Sequence, residues 1–349
     1  MKNLFEFRYR RIGLWGRTSC LFFLFLGIII FGTFLLGCSH TTGPQEISSP
    51  DVTSLYPYPD FITANKDYFT TRIGGVPQVN ADSFRLEITG LVHTPRSFSL
   101  RQLMALPLVT MPLTIECISN GPNNDNIGTA VWKGFRLYDL LSSLGLDSGA
   151  TGVKYRCADG YYASHTMDQL KNNNVIGALF MNSVPIPPEQ GFPLRVLSPG
   201  FYGVKQPAWV VAIEVTGQSL SDYWADRGWD VSVPMAVDSK FFFPRFDDSI
   251  AVGETLHVGG AAYGGGRIAG VEVTADSGAT WTEAEIVKSM DLDNIWVFWL
   301  AKLVLTKPGE VLINARATDI HGSMQPETDT NYLAGSNAWP SVSVSVINK

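Results

Sequence analysis

From about Val233 onward the sequence breaks into short alternating segments separated by Gly and Asp-Ser-Gly turns, with almost no helical period. The stretch Gly270-Val-Glu-Val-Thr-Ala-Asp-Ser-Gly-Ala-Thr-Trp281 is the clearest case, and further strands are expected at Val311 to Ala317 and Val342 to Ile347. Such a tail cannot form a helical bundle. It predicts an immunoglobulin-like β-sandwich over residues 233–349. The preceding body, residues 61–228, is mixed. Phe84-Arg-Leu-Glu-Ile-Thr89 alternates as a half-buried strand does, and Leu137 to Leu144 has the spacing of one short helix. The fold class expected is therefore α+β followed by a sandwich.

The front of the chain has a different character. Lys2, Arg8, Arg10, Arg11 and Arg17 precede the uncharged run Leu21 to Leu36, then Leu35-Leu36-Gly37-Cys38 and the polar Ser39-His40-Thr41-Thr42. A run of this length is short for a membrane span, which takes about 20 apolar residues. The tetrad ending in Cys38 is similar to a bacterial lipobox, so residues 1–37 are expected as a signal peptide and Cys38 as the lipidation site. Residues 38–60, rich in Pro, Ser and Thr, would form a tether, and the protein would be exported and lipid-anchored on the periplasmic or cell-surface side. The alternative is an uncleaved anchor from about Thr18 to Cys38. Arg10-Arg11 also suggests twin-arginine export.

Charge excludes one class of partner. With residues 1–37 set aside, the net charge of −6 becomes −10, and an acidic body is a poor ligand for nucleic acid. Cysteine usage narrows the chemistry. Cys20 and Cys38 belong to the front, leaving Cys117 and Cys157 in the folded body. In an exported protein two cysteines ordinarily suggest a disulfide, and by themselves Thr114-Ile-Glu-Cys-Ile-Ser-Asn120 and the following Gly121-Pro-Asn-Asn-Asp125 do not decide otherwise. A second feature is Gln190-Gly-Phe-Pro-Leu-Arg-Val-Leu-Ser-Pro-Gly-Phe-Tyr-Gly-Val-Lys205, where glycines beside Arg195 and Lys205 suit a phosphate. A solvated cationic face is the plainer reading of those two residues.

Taken together, in order and spacing, these pieces resemble the sulfite oxidase family over nearly the whole body. The stretches are Ser83 to Leu91, the Cys117 segment, Gly128 to Leu141, Met181 to Lys205 and Trp209 to Val215. In the tail they are Gly259 to Arg267, Asp276 to Trp281, Arg316-Ala-Thr-Asp319 and Gln325-Pro326. The resemblance implies a molybdopterin-binding domain followed by a dimerisation domain, a homodimer, and molybdenum held by a pyranopterin dithiolene and the Cys117 thiolate. A thiolate is a soft donor suited to that role. It also carries the cofactor contacts onto Gln190, Arg195, Lys205 and Gln206, and less directly onto Asp159 and Asn120. The implied activity is two-electron oxygen-atom transfer, with sulfite oxidation first. No Cys-x-x-Cys-His motif is present, so an external electron carrier such as a c-type cytochrome or membrane haem protein is expected.

The match departs at the substrate pocket. Asn120 is followed by Gly121-Pro122 where the family has arginines, Arg72-Ile73-Gly74 keeps only the arginine of an upstream signature, and Trp229 replaces a catalytic tyrosine after Trp224. Gln190 stands for a histidine and Ala208 for a lysine. Arg72, Arg227 and Lys133 remain as candidate cations, with Arg72 and Arg227 assigned to catalysis beside Cys117. The substrate is thus either a small oxyanion or, because a neutral molecule needs fewer arginines, an S-oxide or N-oxide to be reduced. A cofactor-free binding protein is the alternative of a different class.

Overall fold

The computed structural model describes residues 52–329 and 331–348. The basic stretch, the apolar run and the Cys38 tetrad, with the expected signal peptide and lipidation site, lie outside the described residues.

Two sheets build the first half. One runs in the order Arg96–Ser99, Arg85–Gly90, Val210–Thr216, Gly152–Cys157, Tyr162–Thr166, and Arg85–Gly90 pairs parallel with Val210–Thr216. The other runs Leu108–Glu116, Ile127–Arg136, Ile176–Met181, Val184–Pro185, with Arg195–Leu197 also on Ile176–Met181. The expected alternation holds: Phe84, Leu86 and Ile88 are buried while Arg85, Glu87 and Thr89 face out. Leu137–Ser143 is the expected helix and buries Leu137, Leu140 and Leu141. Two more short helices, Leu100–Met104 and Met167–Asn172, begin at capping boxes, Ser99 with Gln102 and Thr166 with Gln169. Each cap contributes about 1 kcal/mol and fixes where the chain turns.

The second half is the expected sandwich. Asp238–Phe243, Thr255–Tyr263, Val297–Val304 and Glu285–Lys288 form one sheet; Asp248–Ala251, Ser341–Ile347, Gly309–Asp319, Ile268–Thr274 and Thr282–Glu283 form the other. Val258, Trp299, Val271, Ile313, Ala315 and Val344 fill the space between them. The Asp-Ser-Gly turn places Ser277 and Gly278 at φ 59° and 84°, and Asp276 closes it by accepting from the Thr280 amide at 2.9 Å.

Where the halves meet, a third core gathers Phe61, Ile118, Ile127 and Val204 with Tyr263, Trp296 and Phe298. The Thr114 amide donates to the Asn294 carbonyl at 3.0 Å, and the Trp296 amide donates to Thr114 Oγ1 at 2.9 Å. The tether expected to reach residue 60 ends earlier. Tyr56 stacks on Phe243 at 5.5 Å and the Tyr58 hydroxyl donates to the Trp299 carbonyl at 2.5 Å. Aromatic burial outweighs the flexible composition that suggested a free linker.

Candidate active site

The strand Leu108–Glu116 buries its last four residues and delivers Cys117 to a cavity of about 280 Å³. Cys117 is 9% exposed, its sulfur 3.3 Å from Ser119 Oγ. Neither Cys117 nor Cys157 is in a disulfide. Cys157 lies in the apolar core of the first half, where burial, with Asp159 adding to it, pushes its thiol well above the ordinary range. Only Cys117 of the two opens onto the cavity.

Gln190 and Arg195 line another part of the cavity wall. The Gln190 amide donates to the Tyr68 and Phe69 carbonyls at 3.1 and 3.4 Å, which turns its oxygen toward Arg195 Nη1 at 3.4 Å. The Arg195 guanidinium lies over the Trp132 ring at 5.6 Å. Its Nε is buried with no hydrogen-bond partner, and no carboxylate pairs with it among the described residues. Burial lowers its pKa, with Tyr68 opposing, yet a guanidinium stays protonated. A half-buried cation on a cavity wall without a counter-ion fits an anionic group brought from outside. The donor set therefore suits a phosphate-bearing cofactor on one wall and a soft metal at the thiol on another.

Arg72 is exposed, makes no ion pair among the described residues and lines the cavity with Asp159 and Gln206. Asp159 accepts from the Tyr161 amide at 3.0 Å, and burial raises its carboxyl pKa. Gln206 spends its amide on the loop that carries it, accepting from the Ser198 amide at 2.5 Å and donating to the Ser198 and Phe201 carbonyls at 2.7 and 2.9 Å. It shapes the wall rather than offering a donor to it.

Four of the expected residues lie off the cavity wall. Asn120 is fully buried, donating to Glu116 Oε1 at 2.9 Å and accepting from the Asn126 amide at 3.0 Å, so its side chain braces the loop. Lys205 is held by Asp222 at 3.0 Å, both nearly buried, because a carboxylate at that distance outcompetes a distant anion. Burial lowers the Lys205 pKa against the pull of Asp222. Arg227 folds back onto its own turn, over the Tyr223 ring at 3.5 Å and onto the Tyr223 carbonyl at 2.7 Å. Lys133 lies over Phe180 at 5.9 Å. None of these four lines the cavity.

Sequence reasoning missed two groups. Tyr161, whose hydroxyl donates to the Val204 carbonyl at 2.7 Å, and Ser119 line the cavity beside Cys117. Behind Cys117, Glu116 Oε1 is 3.5 Å from Lys240 Nζ and accepts from the Tyr263 hydroxyl, while Lys240 Nζ is 3.0 Å from Asp238 Oδ2. Burial pushes Glu116 up to about 8 and Asp238 to about 6, Lys240 opposing both. An acid inside the otherwise apolar run before the cysteine was the available signal.

Comparison with known proteins agrees with this geometry. A family model described as an oxidoreductase molybdopterin binding domain matches residues 73–224, and one described as a Mo-co oxidoreductase dimerisation domain matches residues 227–347. Mitochondrial sulfite oxidase of Rattus norvegicus is 29% identical over 342 residues, covering 82% of this chain and 62% of that protein. An NADH nitrate reductase of Oryza sativa subsp. japonica is 27% identical, covering 87% of this chain and 40% of its own length. The chain thus spans about three-fifths or less of these relatives. The sulfane dehydrogenase SoxCD of Paracoccus pantotrophus shares the fold, with a TM-score of 0.71 at 21% identity over 91% of this chain and 96% of that one.

Proposed function

Because the chain belongs to the sulfite oxidase family of molybdopterin-binding oxidoreductases, we propose that it is an enzyme of two-electron oxygen-atom transfer, with sulfite the first substrate to test. The observation that carries this reading is the free Cys117 thiol on the same cavity as the unpaired Arg195 guanidinium.

When bound, a molybdenum cofactor supplies the oxygen-transfer chemistry. The residues supply its setting. Cys117 must lose its proton to serve as a ligand, and the Ser119 hydroxyl 3.3 Å away can donate to the resulting thiolate. Arg195, oriented by the carbonyl and side chain of Gln190, would hold the pterin phosphate. Trp224, Trp229 and Ile118 present apolar walls that exclude water. Arg72 at the cavity edge would draw in an anion.

A second reading rests on the charge of the lining. Arg72 and Arg195 are offset by Asp159 and Glu189, so once a phosphate occupies Arg195 the remainder favours a neutral S-oxide or N-oxide over an oxyanion. Homodimer formation through residues 227–347, an exported and lipid-anchored location set by residues 1–38, and electron exchange with a separate haem protein complete the proposal.

Metal and pterin analysis of the purified protein is the first test, followed by sulfite oxidation with an artificial acceptor and S-oxide reduction with an artificial donor. Stoichiometric molybdenum with sulfite turnover supports the main reading. Reduction without sulfite turnover moves the assignment to the second, and a protein purified without metal or pterin from a cofactor-competent host sinks both.

A further inference from the structure

We propose that Lys240, from the sandwich half, is a positioning residue for Cys117: it fixes from across the molecule the loop that follows the cysteine. The word ligand for Cys117 rests on the functional reading above, but the geometry of the loop does not.

Residues 117–126 leave the strand Leu108–Glu116 and return as Ile127–Arg136. Within its own half this loop is closed by the Cys117 amide donating to the Asn126 carbonyl at 3.0 Å and the Asn120 amide donating to the Cys117 carbonyl at 2.9 Å. The carbonyls of Asn120 and Gly121 also face the other half, that of Gly121 being shared with the Asn124 amide of its own loop at 3.0 Å. Lys240 Nζ donates to them at 3.3 and 2.8 Å, with Asp238 Oδ2 at 3.0 Å and Glu116 Oε1 at 3.5 Å as its carboxylate partners. An ammonium has three donors radiating from one point, and here two loop carbonyls and two carboxylates surround it.

Lys240 is itself immobile. It is 3% exposed and sits on the strand Asp238–Phe243, in register with Ala261 on Thr255–Tyr263. Its carboxylate partner is locked in turn, because Gln325 donates to Asp238 Oδ1 at 2.7 Å and accepts from the Ser239 hydroxyl at 2.7 Å. Tyr263 bridges Asp238 and Glu116. A second contact from the same half reaches the loop at Asn123, whose side-chain oxygen accepts from the Ser341 amide at 3.3 Å. The position of the cysteine is thus referred to a β-sandwich as well as to the loop's own bonds, which is how a reacting group is held to a fraction of an ångström.

The test uses the full chain and separates loop positioning from loss of an ion pair. Lys240→Met alone would strand two buried carboxylates and could unfold the protein, so both are neutralised first: the comparison is between Glu116→Gln/Asp238→Asn and the triple variant Glu116→Gln/Asp238→Asn/Lys240→Met, which differ only in the lysine. Alkylation of Cys117 is followed in cofactor-free protein with Cys157 as internal control. Loss of charge-assisted bonds to the loop carbonyls is expected to raise Cys117 alkylation about tenfold in the triple variant over the double one, with Cys157 unchanged. In loaded protein the Mo(V) electron paramagnetic resonance signal is expected to shift in the triple variant relative to the double, and Lys240→Arg alone to keep both readouts near the wild type. Equal Cys117 alkylation and an identical signal in the double and triple variants at matched melting temperature would overturn the proposal. Absence of molybdenum in the wild type would fail the functional reading only, and alkylation would still decide the role of Lys240.

Discussion

Charge is handled in opposite ways at the cavity and behind Cys117. Toward the cavity, Arg195 is a half-buried cation with an orphaned Nε and no carboxylate partner among the described residues. Behind the cysteine, Glu116, Asp238 and Lys240 are desolvated, but both carboxylates face the one ammonium, and the Glu116 oxygen left without a hydrogen bond belongs to a carboxyl that burial keeps protonated up to about pH 8. The Lys205–Asp222 pair is closed in the same way. A closed cluster holds a fold together, whereas an open one holds something the chain does not itself contain. By that criterion Arg195 is the candidate for ligand binding and the two lysines are scaffold, although the glycine-punctuated segment 190–205 had put Arg195 and Lys205 in one class.

The largest expected effect comes from removing the half that closes the rear cluster. Deleting residues 237–349 uncovers Phe61, Ile118 and Ile127 from Tyr263, Trp296 and Phe298 and leaves Glu116 without Lys240. Each of those three aromatic side chains contributes roughly 1.5–3 kcal/mol by burial, a sum comparable with the whole stability of a domain. The truncated chain is expected to be insoluble or unfolded by circular dichroism. A soluble, cooperatively melting monomer that binds pterin would break the comparison.

Next in size is Lys205→Met, which strands Asp222 and is expected to cost about 3–5 kcal/mol in urea unfolding of the cofactor-free protein. Arg195→Met should by contrast leave that stability unchanged or raise it, because it removes an uncompensated charge, while lowering pterin retention. If Arg195→Met destabilises the empty protein as much as Lys205→Met does, the distinction between open and closed clusters fails.

A smaller effect is expected from pH. The Glu116 carboxyl is raised by burial above its unfolded value, to about 8, so the folded state holds a proton that the unfolded state releases. The stability this contributes is complete below the unfolded pKa and is lost as pH rises through about 8. Unfolding free energy should decline over that window, and Glu116→Gln should flatten the decline. A slope unchanged in the variant would place the titrating proton elsewhere.

The smallest effect on stability concerns the two thiols. Cys157→Ala is expected to cost under about 1.5 kcal/mol, since it trims one small group from the core, and to leave turnover intact. Cys117→Ser should change stability as little but abolish turnover, because a hydroxyl donates far less charge to a metal than a thiolate. Steady-state turnover beside thermal melts checks both, and an active Cys117→Ser enzyme would remove the thiol from the chemistry.

Local pattern was sufficient for much of this protein. Phe84 to Thr89, the helix at Leu137 and the tail strands declare themselves through alternation and spacing, since strand and helix periods depend only on neighbours in the chain. Cys117, Gln190 and Arg195 were legible as a site because they fall in order along a recognisable pattern. The side chains that turn out to be closed off were not. Whether Asn120, Lys205 and Arg227 reach the cavity depends on Glu116, Asp222 and Tyr223 standing nearer than any ligand, and a sequence does not rank such distances. The docking of Tyr56 and Tyr58 and the reach of Lys240 to Gly121 were equally hidden, because they join segments more than a hundred residues apart. The sequence by itself determined which residues could bind. Packing the two halves together decided which of them were already satisfied, because a buried charge takes the nearest complement that the fold supplies.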